Sequence, residues 1–123
     1  MLKRLRALFA RDPRDLSPAD AVRRIDDGAL IVDVREADEF AAGSLRGATH
    51  IPLGEIRSLG LTALHRRGLS PERQDLLLVC RSGARSRAAM ALLSTCPDMR
   101  LFNLRGGMIA WLDHGLPLQQ RKG

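Results

Sequence analysis

The stretch LLLVCRSGARSRAAMALLSTC, residues 76–96, decides the fold. Its first five residues form a continuous apolar run of the length expected for a strand buried on both faces. Further on, Ala89, Leu92, Leu93 and Cys96 recur at i, i+3, i+4 and i+7, the period of a helix with one buried stripe. Between the two lie three arginines, two serines and a glycine. A strand that passes within a few residues into a helix is the repeating step of a parallel α/β sheet. Ligands in such sheets bind beyond the carboxyl ends of the strands, and Cys80 stands at such an end.

The same alternation extends in both directions. SPADAVRRIDDG begins with Ser17 as a cap, Pro18 at the first helical position and Asp20 completing an S-x-x-D box. Pro18, Ala21, Val22 and Ile25 make its apolar stripe, and Gly28 stops it. ALIVDV, residues 29–34, is a second strand buried on both faces. EADEFAAG follows as a short helix ended by Gly43, and ATHI, residues 48–51, as a short strand stopped by Pro52. Residues 53–74 carry one or two short helices punctuated by Gly60, Gly68 and Pro71. RLFNL, residues 100–104, is the last strand, and Gly106-Gly107 turns it into a helix through Trp111.

The chain has 123 residues, enough for one domain with its own core. Its net charge of +6 sits at the ends: Lys3, Arg4, Arg6, Arg11, Arg121 and Lys122 account for it, leaving fourteen basic and fourteen acidic residues in 12–120. A neutral body with four aromatics argues against a nucleic-acid-binding face. His50, His65 and His114 are scattered, no cysteine pair has ligand spacing, and no metal is expected. Residues 1–14 form a basic N-terminal segment, read as a short helix docked on the domain or a frayed terminus. A helix on a membrane surface, using residues 1–11, or on a partner is the alternative. No secretion-type apolar segment or membrane span is present in the sequence, so the expected compartment is the thiol-reducing cytoplasm. Residues 119–123 are read as a basic tail.

The segment after Cys80 has chemistry of its own. A tight turn into a helix points several N–H groups inward, and the helix start adds partial positive charge. A sulfur held there is stabilised as an anion, with thiol pKa values falling from about 8.5 toward about 3.5–7.5 in such settings. Gly83 lets the backbone bend, and Arg81 and Arg85 can fork onto the oxygens of an anionic substrate. Cys96, about twelve residues along the helix and so about 18 Å away, is expected to be a structural member of the buried stripe. It is too far from Cys80 for a disulfide.

Three motifs in order, VDVREADEFAAGSLRGATHIP, CRSGARS and NLRGGMIAW, resemble the rhodanese-like domain, and in particular the small single-domain bacterial sulfurtransferases. The likeness runs from about Ser17 to Leu118, nearly the whole chain, and implies a domain of residues 15–118. It implies a five-stranded parallel sheet flanked by helices, with the persulfide-forming cysteine at Cys80. The implied six-residue loop is Cys80, Arg81, Ser82, Gly83, Ala84 and Arg85. Asp33 and Arg35 match the family's D-x-R and are read as an ion pair or a capping interaction that shapes the rim of the site, not as catalysts. Ser86 adjoins the loop, and Gly106 and Gly107 match a nearby turn that needs no ligand contact to explain it. Ser44 departs from the family, which often has histidine there.

The resemblance implies ping-pong transfer without a cofactor. A small anionic donor, thiosulfate or a persulfide, loads Cys80, and a thiol, a protein cysteine or cyanide accepts the sulfur. Two other readings stand beside it. One is a relay or docking module loaded only by a protein donor. The other is a phosphatase or arsenate reductase, whose cysteine and arginine are separated by five residues. Here four lie between Cys80 and Arg85, and the phosphatase arginine position is Ser86, which favours sulfur transfer.

Overall fold

The computed structural model describes residues 12–96 and 98–120. The N-terminal expectations for residues 1–11 therefore lie outside the described residues, as does most of the basic tail. Five strands form one parallel sheet: β1 (Asp15–Leu16), β2 (Leu30–Asp33), β3 (Thr49–His50), β4 (Leu76–Val79) and β5 (Leu101–Leu104), in the order β1-β5-β4-β2-β3. The longer strands lie inside and the two-residue strands at the edges, so little unpaired backbone is left for another chain to join. Register is continuous across the centre, with Val32 opposite Leu78 and Leu78 opposite Asn103.

Among the described residues six helices cover the sheet: α1 (Pro18–Asp26), α2 (Ala37–Ala42), α3 (Leu53–Leu59), α4 (Leu61–His65), α5 (Ala84–Leu93) and α6 (Gly107–Asp113). Strand alternation splits the core in two. Leu76, Leu78 and Cys80 face a cluster with Val32, Ile56, Leu64 and Leu93 beneath α3, α4 and α5. Leu77 and Val79 face the opposite cluster with Ile31, Phe102, Met108 and Trp111, beneath α1 and α6, with Phe40 of α2 packed against it. No helix among the described residues is long and apolar enough to cross a membrane.

Two local expectations are corrected. At the start of α1, the Asp20 N–H donates to Ser17 Oγ at 3.2 Å, but the Asp20 carboxylate pairs with Arg23 at 3.6 Å. A reciprocal capping box occurs instead at α2, between Glu36 and Glu39. The buried stripe of α5 is Ser86, Ala89, Met90 and Leu93, with Leu92 exposed. That face is turned by about 60° from the apolar periodicity, because a polar residue, Ser86, is drawn inward beneath Cys80. Cys96 lies beyond the helix end, since α5 stops at Leu93; it is half-buried, and both cysteines are free thiols. Near the carboxyl end of the chain, Ser44 and Gln119 form an antiparallel bridge, with N–H to O distances of 2.9 and 2.7 Å.

Candidate functional site

The site is assembled where β4 stops. Cys80 continues the alternation of Leu76 and Leu78 and is 1% exposed. Gly83, with φ +104°, reverses the chain and caps α5, which places Ala84 and Arg85 in the helix's first turn. The reversal aims the Gly83 N–H back at Cys80 Sγ, 3.0 Å away, and the Ser86 hydroxyl donates to the same sulfur at 3.3 Å. Arg81, Ser82 and Ala84 are exposed along the outer side of the turn.

The loop is held from behind by α6. Met108 N–H donates to the Cys80 carbonyl at 2.9 Å and Ile109 N–H to the Arg81 carbonyl at 3.1 Å. With those carbonyls turned toward α6, the amides further along are left for the sulfur. Gly107 makes the approach feasible: at φ +58°, a Cβ there would collide with both carbonyl oxygens. Gly106, at φ +76°, caps the helix and abuts Gly83 through its backbone nitrogen. The glycine pair therefore supports the loop as well as making the strand-to-helix turn.

Burial pushes the Cys80 thiol up. The hydrogen bond from the Ser86 hydroxyl and those from the N–H groups of Ser86, Gly83 and Ser82 act the other way and prevail, so the thiol lies below its ordinary value. Ser86 is itself part of a buried polar chain. Its hydroxyl is within hydrogen-bond reach of the Gly83 carbonyl, at 3.1 Å, and of Asn103 Oδ1. Asn103, fully buried in β5, donates through Nδ2 to Asp15 Oδ1 at 2.8 Å. Asn103 went unnoticed in the sequence; a lone amide inside LFNL was the available signal, since a buried polar side chain needs partners.

Arg85 differs from expectation. Its guanidinium is forked onto Glu39, with Nη1 to Oε1 at 2.6 Å and Nη2 to Oε2 at 2.9 Å, and does not stand open to a substrate. Glu39 also accepts from the Glu36 N–H at 3.0 Å as the reciprocal half of the α2 capping box. The Arg85 fork is the main reason that the Glu39 carboxyl is lowered to about 2, with burial opposing. Arg85 is correspondingly raised, first by Glu39, against burial, and further by the charge of an ionised Cys80. Glu39 was not singled out in the sequence, because its partner lies 46 residues away.

Asp33 and Arg35 do form the expected ion pair, with Nε to Oδ1 at 3.0 Å and Nη2 to Oδ2 at 2.8 Å, both buried. Ser44 Oγ donates to Asp33 at 2.7 Å, and Arg35 Nη2 reaches the Gly43 carbonyl at 2.6 Å. Arg35 thus ties the end of β2 to the end of α2. The Phe40 and His50 rings stack at 4.7 Å, and His50 Nε2 lies 2.7 Å from the Arg35 carbonyl, fastening α2 a second time. Among the described residues, no group of three or more His, Cys, Asp or Glu side chains is placed to hold a metal ion.

A parallel α/β domain with a cysteine cradled at the end of its central strand defines a class, and comparison with known proteins specifies it. The chain belongs to the rhodanese-like domain family, whose model matches residues 17–114. It is 39% identical over 94 residues to a sulfurtransferase of Allochromatium vinosum, covering 76% of this chain and 81% of that one. To the thiosulfate sulfurtransferase GlpE of Pseudomonas entomophila it is 30% identical over 100 residues, covering 78% and 82%. A rhodanese-related protein from Thermoplasma volcanium has the same fold, with a TM-score of 0.71 and 27% identity over 86% of this chain and 97% of that one. These relatives support sulfur transfer as the general activity.

Proposed function

We propose that this protein is a thiosulfate sulfurtransferase-type enzyme that carries sulfur as a persulfide on Cys80. The observation that carries the reading is the pair of donors on Cys80 Sγ, the Gly83 N–H and the Ser86 hydroxyl, which favour the thiolate. The thiolate attacks the outer sulfur of thiosulfate, the S–S bond of the donor breaks, and sulfite leaves with the electron pair. The loop amides and the Arg81 guanidinium offset negative charge as this happens. The persulfide then passes its outer sulfur to an acceptor thiolate or cyanide, and Cys80 leaves as the thiolate. No external oxidant is consumed in either half.

Asp33, Arg35, Gly106 and Gly107 fix the walls of this site, and Arg85 is held by Glu39 at its edge. Four residues between Cys80 and Arg85, with a hydroxyl at position 86, suit a sulfur better than a phosphate with three equatorial oxygens.

Incubation with thiosulfate followed by intact-mass measurement tests the reading. Wild type and Cys96→Ser are expected to gain one sulfur atom, and Cys80→Ser none. No gain on wild type would overturn direct loading from thiosulfate.

A further inference from the structure

We propose that Glu39 is a positioning residue that sets donor selectivity. By holding Arg85 in a two-bond fork, it removes one positive charge from the edge of the Cys80 loop. That biases the site away from dianionic donors and toward monoanionic alkyl persulfides. This rests on the reading of Cys80 as the sulfur-carrying residue and goes beyond it in naming the residue that ranks one donor above the other.

Three observations carry it. The fork uses both terminal nitrogens of Arg85 and both oxygens of Glu39, the geometry that best satisfies a guanidinium. Glu39 is not a loose partner. It is pinned by the Glu36 N–H, and α2 is fastened by Arg35 to Gly43 and by the Phe40–His50 stack. Finally, the neighbouring charges are balanced in the same way: Arg35 is paired with Asp33, and Arg87 lies 3.6 Å from Asp15. Of Arg81, Arg85 and Arg87, only Arg81 has no ion-pair partner among the described residues. A site of this charge admits thiosulfate but favours, relative to it, a donor that brings one negative charge. In that transfer, the Cys80 thiolate attacks the terminal sulfur of R–S–S⁻, the donor S–S bond breaks, and R–S⁻ leaves with the electron pair.

The test reads local charge without sulfur chemistry. In a Cys96→Ser background Cys80 is the only thiol, and its alkylation rates by iodoacetate, an anion, and iodoacetamide, neutral, are compared. Glu39→Gln is expected to raise the iodoacetate-to-iodoacetamide ratio at least about threefold. Adding Arg85→Gln is expected to abolish the rise. A loosened structure would change both rates together and leave the ratio alone. An unchanged ratio in Glu39→Gln, or a rise that survives in the double variant, overturns the proposal. Should Glu39→Gln fail to fold, Arg85→Gln alone serves: it leaves Glu39 unopposed and must lower the ratio, and no change overturns the proposal. The KM for thiosulfate is expected to fall in Glu39→Gln with kcat little altered. If wild type takes no sulfur from thiosulfate, the reading of the reaction fails while the alkylation ratio still decides the role of Glu39.

Discussion

Gly107 lies directly against the carbonyl oxygens of Cys80 and Arg81, leaving no room for one added carbon. The first turn of α6 reaches the loop because this position has no side chain, and the loop's amides depend on that support. Gly107→Ala is therefore expected to cost more than about 2 kcal/mol, from left-handed strain of about 1–2 kcal/mol plus the collision. Gly28→Ala is the control: its φ of +99° carries strain, but nothing lies within 4 Å of the added carbon. Urea unfolding of the two variants should separate them, and equal losses would count against the packing account.

Among the described residues Ser86 brings the side-chain hydroxyl to the Cys80 sulfur, and its single proton is shared between that sulfur and Asn103 Oδ1, so its loss leaves both acceptors with one donor fewer. Ser86→Ala is expected to raise the Cys80 thiol pKa and to cost about 1–3 kcal/mol of stability. Titration of thiolate absorbance in a Cys96→Ser background measures the first effect. A thiol pKa that stays put would show that the backbone amides alone set it.

The Asp33–Arg35 pair is buried, so removing one member strands the other. Arg35→Ala is expected to cost about 3–5 kcal/mol and to loosen α2 through the lost Gly43 contact. Arg35→Lys keeps the charge but not the fork and should fall between. Thermal denaturation of the three proteins checks the order, and a loss below about 1 kcal/mol for Arg35→Ala would contradict it.

Glu39 makes a pH prediction of definite sign. Its folded pKa, about 2, is below the ordinary carboxyl value. Its contribution is thus complete above about pH 4.5 and is lost as pH falls through the range down to about 2. Because the pair is partly exposed, the contribution is discounted to about 1 kcal/mol. Wild type should exceed Glu39→Gln in stability by that amount at pH 7, with the gap closing at pH 2.5. A gap independent of pH would mean that the side chain's packing, not its charge, matters.

The central strands were legible because β4 is an unbroken apolar run and β2 is apolar up to its final Asp33, as a doubly covered strand requires. The edge strands were fainter: two residues give no period to read. The turn at Gly83 follows from its residue type, whereas the pairing of Asp33 with Arg35 was one of two readings that the family's D-x-R implied. Glu39 with Arg85, and Asn103 with Ser86, were hidden because each pair joins segments that meet only in the folded chain. The inward face of α5 was misplaced for a related reason. Apolar periodicity pointed to Leu92 and Cys96, whereas the helix turns to satisfy Ser86 beneath a thiol.

The bridge between Ser44 and Gln119 gives the domain a mechanical asymmetry. Ser44 grips Gln119 through its backbone and Asp33 through its hydroxyl, so tension applied beyond Gln120 travels through one residue to the carboxylate that orients Arg35. Load entering at Asp12 meets β1 instead, on the opposite edge of the sheet from β3. A rigid partner fused at the carboxyl side would strain the wall that carries Glu39, while one joined at the amino side would bear on the strand that carries Asp15.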